Sequence, residues 1–305
     1  MVDFELEWGK ITELKKLPSN IHISFPNYVH ELLEKPPLLI SQYRDIISLK
    51  DPKSIEEYER KFDKVMESIL YGDSFLLNLC MKTPISSDFS LKEIFYQASA
   101  KYKICIEDEF VCFSPECFIE IKDGKIYSYP MKGTIDADIF DAKNKILSDE
   151  KELAEHYTIV DLIRNDLNMV ASEVRVEKFR FIDKINTSKK NLLQVSSCVA
   201  GVLPKDFNNH IGTIIEKLLP AGSISGAPKK RTVEIIRDVE NEKRMYYTGI
   251  CGIFDGRDLD SAVMIRFIEK QEGQLYYRSG CGITCNSAMI TEYNEMIDKI
   301  YVPID

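Results

Sequence analysis

The sequence predicts an α+β protein built on large antiparallel sheets. Its predicted strands follow one another in runs joined by short turns, and the apolar pattern does not alternate single strands with single helices. The turns contain Asp123-Gly124, Asp255-Gly256 and Glu272-Gly273, and dipeptides of this kind favour tight hairpins. The pattern therefore argues against Rossmann and TIM-barrel architectures.

Apolar periodicity places the elements of the first half in order. Residues 1–50 predict short strands and loops, interrupted by prolines that include Pro36 and Pro37. An amphipathic helix is expected over Ser54–Tyr71, because apolar side chains recur there at three- and four-residue spacing. The other expected elements are a strand at Ser74–Met81, a helix at Leu91–Tyr102, strands at Lys103–Phe113, Cys117–Ile121 and Lys125–Tyr129, and one long helix at Asp141–Asp166.

The second half continues with strands and closes with a helix. Strands are expected at Val174–Phe179, Asn191–Val202, Tyr247–Phe254, Asp260–Glu269 and Gln274–Gly280, and helices at Asn209–Leu218, Lys229–Val239 and Ser287–Tyr301. No repeat or low-complexity linker interrupts the chain. We therefore expect a single domain over residues 1–305.

Composition excludes several classes of function. The net charge of -9 repels polyanions, so nucleic acid is not an expected partner. The acidic start carries no signal peptide, and no apolar run is long enough to span a membrane, so a cytoplasmic protein is expected. The eight cysteines are scattered without a CxxC pair, and Cys80, Cys105, Cys112 and Cys251 lie in strand-like contexts. We expect reduced, mostly buried thiols and no zinc site.

A glutamate and a lysine form the first candidate pair. Glu116 follows Ser114-Pro115, and Lys132 precedes Gly133. We expect both at the ends of neighbouring strands, where an acid and an amine can act as proton donor and nucleophile. A lysine in a semi-enclosed site can lose its proton and attack carbon. Taken alone, such residues are more often ordinary surface charges.

Two pairs of glutamates share a helical spacing. Glu152 and Glu155 are three residues apart on one expected helix, and Glu292 and Glu295 repeat the spacing near the C-terminus. Four carboxylates from two facing helices would supply the hard oxygen ligands that suit Mg²⁺. Pairs at this spacing are also common on solvated helix faces.

Three further segments are candidates. Gly222–Lys229 predicts a turn followed by a helix that begins near Pro228, where backbone N–H groups can bind a carboxylate or phosphate, although an ordinary capped helix start fits equally well. Asp161–Asp166 indicates a polar helix end with a structural role. Arg266 lies in an expected apolar strand and offers a fork suited to a carboxylate, with an internal ion pair as the alternative.

In this order the segments resemble the chorismate-binding enzymes, which include anthranilate, aminodeoxychorismate, isochorismate and salicylate synthases. The resemblance runs from about Ser54 to Lys299. It rests on eight ordered blocks: Ser114–Glu116, Lys132–Thr134, Glu152–Leu167, Gly222–Lys229, Arg244–Gly249, Ile265-Arg266, Gly280–Ile283 and Glu292–Lys299. It implies a layered sandwich like anthranilate synthase component I, with two large antiparallel sheets, flanking helices and a central active-site cleft.

The resemblance also implies a role for each site residue. Lys132 would be the covalent nucleophile and Glu116 the general acid. Mg²⁺ would be held by Glu155 and Glu295 directly and by Glu152 and Glu292 through water. The implied substrate-binding residues are Thr134, His156, Ser225, Tyr247, Arg266, Gly280, Gly282 and Lys299.

Two positions select a branch of the family. Isochorismate and salicylate synthases use a lysine on the early strand to activate water, and Leu76 stands at that position here. An isobutyl group cannot accept a proton, so water addition is disfavoured. Anthranilate synthases typically have a small residue before Gly-Thr, whereas Lys132 resembles aminodeoxychorismate synthase component I. The expected reaction converts chorismate and ammonia to 4-amino-4-deoxychorismate, on the route to p-aminobenzoate and folate.

Some features depart from the pattern. Leu76 also replaces the glutamine of the aminating branch, Asn168 replaces a glycine, and residues 135–138 lack the usual Arg and Pro. The short N-terminal region implies a trimmed tryptophan-binding lobe and weak feedback by tryptophan.

No glutaminase motif is found, so ammonia would come from solution or from a separate glutamine amidotransferase subunit. Anthranilate synthase component I and a catalytically silent chorismate-binding subunit are the alternatives.

Overall fold

Two compact units make up the chain in its computed structural model, which describes residues 1–26, 28–29, 46–50, 55–186 and 191–304. Unit 1 comprises Met1–Glu116, Ile224–Ile250 and Val263–Ile304, and unit 2 comprises Cys117–Ser223 and Cys251–Ala262. Each unit contains one antiparallel sheet with helices packed on it. The predicted α+β class with two large antiparallel sheets is confirmed. Division into one domain or two stays a prediction.

The described residues form strands and helices of very different lengths. The strands are β1 Ile21–Phe25, β2 Tyr28–Val29, β3 Ser48–Leu49, β4 Leu76–Ser86, β5 Tyr102–Ile106, β6 Phe110–Ser114, β7 Cys117–Lys122, β8 Lys125–Ser128, β9 Met131–Asp136, β10 Ser172–Asn186, β11 Asn191–Val202, β12 Gly226–Ala227, β13 Ile250–Phe254, β14 Leu259–Val263, β15 Phe267–Gln271 and β16 Gln274–Ile283. The α-helices are α1 Ile55–Tyr71, α2 Leu91–Gln97, α3 Ala142–Ser148, α4 Glu150–Asn168, α5 Ile211–Leu218, α6 Lys229–Glu240 and α7 Met289–Asp298.

The sheet of unit 1 orders its described strands as β12-β4-β16-β15-β6-β5-β1-β2, and β3 pairs with β4. Helix α2 packs against β5 and β6, α1 and α6 pack against β4, and α7 packs against β16. The core between α2 and the sheet includes Ile85, Ile94, Phe113 and Tyr277, each at most 1% exposed. The long pairing of β4 with β16 aligns Leu77 with Ile283 and runs to Ile85 with Leu275. It brings the Gly280–Ile283 block beside the early strand.

The sheet of unit 2 orders its described strands as β10-β11-β8-β7-β14-β13, and β9 also pairs with β11. Helix α4 packs against β9, β10 and β11, and α3 packs against β9 and β11. Val195 and Val199 of β11 and Ile126 of β8 are fully buried. This arrangement places the strand that carries Lys132 directly against the helix that carries the first pair of glutamates.

The predicted hairpin turns are confirmed. Asp123-Gly124 joins β7 to β8 with φ angles of 50° and 75°, and Glu272-Gly273 joins β15 to β16 with φ angles of 50° and 81°. Positive φ at both central residues is the geometry that matches the twist of two paired strands. Asp255-Gly256 lies between β13 and β14, as predicted.

The prediction of one long helix over Asp141–Asp166 is wrong. The segment forms two helices, α3 and α4, because Asp149 between them is extended and its side chain accepts a hydrogen bond from the backbone N–H of Glu152 at 3.0 Å. The side chain thus caps α4 and starts a new helix. The strand predicted over Lys103–Phe113 is likewise two strands, β5 and β6, which turn at Asp108 with φ 64°. Helix α2 ends at Gln97 rather than Tyr102.

The single strand predicted over Asp260–Glu269 is also wrong. β14 belongs to the sheet of unit 2 and β15 to the sheet of unit 1. Arg266, which we expected inside an apolar strand, lies in the connection and adopts a left-handed conformation with φ 55°. The chain therefore leaves one sheet and enters the other within the connection that contains Arg266.

Two further expectations concern the burial of the cysteines and helices that could span a membrane. Seven of the eight cysteines are buried and Cys285 is exposed, so the predicted burial of most thiols, Cys80 and Cys105 among them, is confirmed. In the described part of the chain, no helix has the length and apolar character needed to cross a membrane. Pro36 and Pro37 lie outside the described residues.

Candidate active site

Lys132 lies on β9 of unit 2 and contacts helix α4. Its Nζ is 2.6 Å from Oε2 of Glu155, and the two side chains are 36% and 17% exposed. The contact depends on tertiary packing, because β9 and α4 are separated in sequence and meet only where the helix packs against the sheet. The side chain of Lys132 is partly open to solvent, so a substrate can reach its amine.

Gly133 explains how β9 approaches α4 so closely. Its φ is 90°, a conformation that L side chains rarely adopt. A Cβ at this position would lie 3.0 Å from Oε2 of Glu152 and 3.5 Å from Cδ1 of Ile146. A larger residue would be strained at this φ and would require the carboxylate of Glu152 to shift.

His156 follows Glu155 on α4 and is fully buried. Its Nε2 is 2.7 Å from Oγ of Ser197, and that oxygen also accepts a hydrogen bond from the backbone N–H of Arg180 at 2.9 Å. Burial, reinforced by the cation of Arg180, lowers the pKa of His156, and a hydrogen bond with the Lys132 backbone acts in the opposite direction. The ring meets Phe179 edge to face at a centroid distance of 5.6 Å. His156 is thus held as a neutral ring beside Lys132.

The second pair of glutamates lies on α7 of unit 1. Glu292 is buried with 5% exposure, whereas the side chain of Glu295 is 49% exposed. Lys299, just after the helix, places its Nζ 2.7 Å from Oε1 of Glu295 and donates to the backbone oxygen of Gly280 at 2.9 Å. Lys299 therefore connects the end of α7 to the Gly280–Ile283 block.

Glycines are required where β16 passes β4. A Cβ on Gly280 would lie 2.6 Å from both Sγ of Cys80 and the backbone oxygen of Leu79, and a Cβ on Gly282 would lie 3.1 Å from Cδ1 of Leu76. The Leu76 side chain therefore lies beside Gly282. The position expected to hold a water-activating lysine in other branches is occupied here by an isobutyl group next to a predicted substrate-binding residue.

Ser225 and Tyr247 are buried in unit 1. Ser225 is fully buried, and its backbone oxygen accepts from the N–H of Asn78 at 2.9 Å. Tyr247 is 3% exposed, its hydroxyl bonds Cys80, and burial raises its pKa well above the usual value. Both residues are held against the first half of β4.

The remaining predicted residues occupy connections and strand edges. The guanidinium of Arg266 lies 5.2 Å from the centre of the Tyr301 ring. Glu116 follows β6, and its N–H bonds Oγ of Ser114 at 3.1 Å. Thr134 is exposed on β9 opposite Gln194. The expectation that Glu116 and Lys132 end neighbouring strands is wrong, because β9 pairs with β11 and not with either strand next to Glu116.

The chemistry of the glutamates fits a divalent cation. Each helix presents two carboxylates one turn apart, and hard oxygen ligands of this kind suit Mg²⁺. Glu155 and Glu295 each already contact an ammonium group, so both positions attract cations. No group of three or more His, Cys, Asp or Glu side chains within the described ranges is arranged to hold a metal. The predicted four-glutamate magnesium site stays a prediction.

Residues 14–305 match the family model described as chorismate binding enzyme. The chain belongs to this family. The match covers both units, and the resemblance inferred from the eight sequence blocks is confirmed.

Two relatives and one solved structure are similar to this chain over most of its length. An "Uncharacterized PabA-like protein" of Haemophilus influenzae is 52% identical over 84% of this chain and 78% of its own. Aminodeoxychorismate synthase component 1 of Bacillus subtilis is 30% identical over 83% of this chain, which spans only 56% of that relative. The solved structure of anthranilate synthase component I from Streptococcus pneumoniae matches with a TM-score of 0.71 at 27% identity, over 85% of this chain and 60% of that one.

Arg244 is a prominent residue to which the sequence motifs assign no role. It belongs to a matched block, and it is among the largest fully buried side chains of the described structure. The available signal was local, because Glu240 lies four residues earlier at the end of a predicted helix, the spacing of an ion pair.

Proposed function

We propose that this protein is an aminodeoxychorismate synthase component I, which converts chorismate and ammonia to 4-amino-4-deoxychorismate. The observation that carries the proposal is Lys132, a partly exposed amine on β9 held 2.6 Å from Glu155. The 30% identity with the Bacillus subtilis enzyme of this name supports the same assignment.

The reaction proceeds by two substitutions. The Nζ of Lys132 forms a bond to ring carbon C2, the two ring double bonds shift, and the C4 hydroxyl leaves as water with a proton from Glu116. Ammonia then forms a bond to C4, the two double bonds shift back, and the C2–Nζ bond breaks to restore the lysine. The proton lost by the new C4 ammonium returns to Glu116. Dividing one difficult substitution into two lowers the barrier of each.

The other site residues bind and orient the substrate. Arg266 and Lys299 supply cations for its carboxylates, and Tyr247, Ser225 and the backbone of Gly280 and Gly282 supply hydrogen bonds. Thr134 and His156 line the ring position near Lys132. Mg²⁺, held by Glu155 and Glu295 with Glu152 and Glu292 through water, would neutralise the ring carboxylate when bound.

Lys132 has to leave Glu155 before it reacts. A carboxylate at 2.6 Å favours the ammonium form, which has no lone pair to attack carbon. Glu155 would release the ammonium of Lys132 if its carboxylate held a divalent cation instead. The proposal therefore links metal binding at Glu155 to release of the nucleophile.

Anthranilate synthase component I is the second candidate. The relative of that name from Aquifex aeolicus is 34% identical over 61% of this chain. That reaction has no need of a covalent lysine, so the retained function of Lys132 separates the two proposals. Water addition finds no support, since Leu76 beside Gly282 carries no base.

The supply of ammonia and the cellular context extend the proposal. Ammonia would come from solution or from a separate glutamine amidotransferase subunit. The product would enter p-aminobenzoate and folate biosynthesis in the cytoplasm. A catalytically silent chorismate-binding subunit would bind the substrate without turnover.

Product identification tests the proposal. Purified protein is incubated with chorismate, ammonium and Mg²⁺, and in parallel with a chelator, and the products are identified by mass spectrometry. We expect 4-amino-4-deoxychorismate only in the sample that contains Mg²⁺. Anthranilate as the product would support the second candidate, and tight chorismate binding without turnover, even with an added amidotransferase, would support the silent subunit.

A further inference from the structure

A buried cation–carboxylate pair lies under the predicted substrate-binding residues of unit 1. Arg244 and Glu240 are 1% and 2% exposed. The guanidinium contacts the carboxylate with two bonds, Nε to Oε2 at 2.9 Å and Nη2 to Oε1 at 2.6 Å. This two-pronged geometry fixes the orientation of the guanidinium plane.

The remaining donors of Arg244 reach three separate segments. Nη2 donates to the backbone oxygen of Asn78 at 2.7 Å, and Nη1 donates to the backbone oxygen of Ile224 at 3.0 Å and to Oγ1 of Thr248 at 3.4 Å. With the two bonds to Glu240, all five N–H groups of the guanidinium are used. Ile224 directly precedes Ser225, and Thr248 directly follows Tyr247.

Glu240 completes the connection on the other side. Its Oε1 also accepts the backbone N–H of Cys80 at 2.9 Å, and the thiol of Cys80 bonds the Tyr247 hydroxyl. A Cβ on Gly280 would meet the same thiol at 2.6 Å. The pair is therefore bonded to the strand that Ser225, Tyr247 and Gly280 all contact.

The backbone on both sides of Tyr247 is strained, so hydrogen bonds are needed to hold it in place. Met245 and Thr248 have φ angles of 53° and 61°, and left-handed conformations are strained for residues other than glycine, most of all for β-branched ones. Thr248 donates its N–H to the oxygen of Met264 at 2.7 Å and its hydroxyl to the oxygen of Tyr247 at 2.6 Å. Glu5 accepts the N–H groups of Arg244 and Met245 at 2.9 and 3.1 Å.

Stability alone does not account for this pair. Replacing a buried ion pair with apolar side chains of similar volume is often neutral or stabilising. Apolar side chains, however, cannot donate hydrogen bonds in fixed directions to Asn78, Ile224 and Thr248. What the pair contributes uniquely is the relative position of those three segments.

We infer that Arg244 is a positioning residue, which sets the geometry of Ser225 and Tyr247 for binding the substrate carboxylates without touching the substrate itself. This inference rests on the proposed function for the identity of the substrate. The burial of Arg244 and the use of all its donors exclude direct contact with a ligand.

The test compares two conservative variants. Arg244→Lys keeps the charge but loses the fork. Arg278→Lys is the matched control, because Arg278 is also buried at 3% exposure and bonds a buried carboxylate, Glu269, at 2.8 Å. It also donates to the backbone oxygen of Lys243 at 3.2 Å and lies 3.7 Å from the carboxylate of Glu242, and none of these partners is a predicted binding residue. Chorismate affinity is measured by calorimetry with Mg²⁺ and no ammonium, and kcat and KM are measured with ammonium.

The two variants are expected to differ in binding. For Arg244→Lys we expect Kd and KM for chorismate to rise about tenfold or more while kcat stays within about threefold. For Arg278→Lys we expect Kd within about twofold of the wild type. Equal losses in both variants, or wild-type affinity in Arg244→Lys, would overturn the inference and leave the proposed function standing.

A second variant covers the case in which Arg244→Lys does not fold, as judged by circular dichroism. Glu240→Gln then decides, because it retains an acceptor for Cys80 but weakens the hold on the guanidinium. A rise in Kd of about threefold or more in that variant supports the inference, and an unchanged Kd overturns it. Failure of the wild-type protein to bind chorismate would overturn the proposed function and the inference with it.

Discussion

The Arg244–Glu240 pair of unit 1 and the Lys132–Glu155 pair of unit 2 share a closest approach of 2.6 Å but differ in every other respect. The first is 1% and 2% exposed and uses the full fork of an arginine, whereas the second is 36% and 17% exposed and uses the point charge of a lysine. The buried guanidinium of Arg244 cannot be replaced by another cation without the loss of several hydrogen bonds. An exposed ammonium can be displaced by another cation at little cost.

The comparison shows that the contact distance of an ion pair does not reveal its role. Exposure and the number of further bonds separate a fixed support from an exchangeable contact. Lys299 falls between the two, because it holds Glu295 at 2.7 Å at the surface but also bonds the backbone of Gly280. Substitutions in the buried and exposed pairs should therefore have distinct consequences.

The largest effect is expected at Lys132. Lys132→Ala removes the nucleophile, so the formation of aminodeoxychorismate should fall by about 10³-fold or more, the scale seen when a covalent catalyst is removed. Initial rates of product formation by liquid chromatography and mass spectrometry measure it. Lys178→Ala is the control, since that ammonium lies over the Phe181 ring at 5.9 Å on the same unit, and it should retain the wild-type rate. Residual activity above a few per cent in Lys132→Ala would contradict the proposed role.

The loss of stability should be larger when the buried Arg244–Glu240 pair is broken than when the Lys132–Glu155 pair is broken. Arg244→Met leaves Glu240 buried without its cation, and we expect a loss of about 3–5 kcal/mol in the free energy of unfolding. Lys132→Met breaks a partly exposed pair and should cost less than about 1 kcal/mol. Urea denaturation of both variants measures the difference. Similar losses in the two would show that the buried and exposed pairs are equivalent.

Metal affinity tests whether the exposed pair is exchangeable. If the ammonium of Lys132 competes with Mg²⁺ for Glu155, then Lys132→Met should bind Mg²⁺ about fivefold more tightly, equivalent to about 1 kcal/mol. Titration calorimetry on the substrate-free protein measures it, with Lys178→Met as the control for overall charge. Unchanged or weaker binding in Lys132→Met would show that no competition takes place.

The smallest effect is expected at a third ion pair, between Glu107 and Lys92, which lies outside the predicted site. Glu107 is 32% exposed, and hydrogen bonds from His22 and Lys92 lower its pKa below 4.5. The folded-state pKa is therefore below the unfolded one, so this stabilisation is complete above about pH 4.5 and is lost as the pH falls through the folded-state value. Glu107→Gln should cost less than about 1 kcal/mol at pH 7, and the cost should be smaller at pH 3.

Urea denaturation at the two pH values measures this dependence. Glu13→Gln is the control, because Glu13 is 69% exposed in its pair with Lys16. It should show no difference between the two pH values. An equal loss in Glu107→Gln at both pH values would show that the charge of Glu107 is not what stabilises the protein there.

Local features of the fold were predictable from the sequence, and long-range ones were not. The Asp123-Gly124 turn and helix α1 follow from residues close together in the chain. The change of sheet at Arg266 does not, because β14 pairs with β7 and β15 pairs with β6, and both partner strands are distant in sequence. The break at Asp149 was readable in principle, since a capping residue precedes Glu152.

The candidate site follows the same division. The identities of Lys132, Glu155 and the other site residues came from ordered motifs and from family resemblance. The contact between Lys132 and Glu155 required the structure, because only the packing of α4 on β9 brings them together. The role of Arg244 was only partly predictable, because its bonds to Glu240 and Thr248 are local whereas those to Ile224 and Asn78 reach segments that are distant in sequence.

The covalent role of Lys132 can be tested most directly by intact-protein mass spectrometry. The protein is incubated with chorismate and Mg²⁺ in ammonium-free buffer, quenched, weighed and digested to locate any adduct. We expect a mass gain of one chorismate less one water on the peptide that contains Lys132, absent in Lys132→Ala and removed when ammonium is added. Aminodeoxychorismate formation by Lys132→Ala at the wild-type rate, with no adduct on the wild-type protein, would contradict the proposed mechanism.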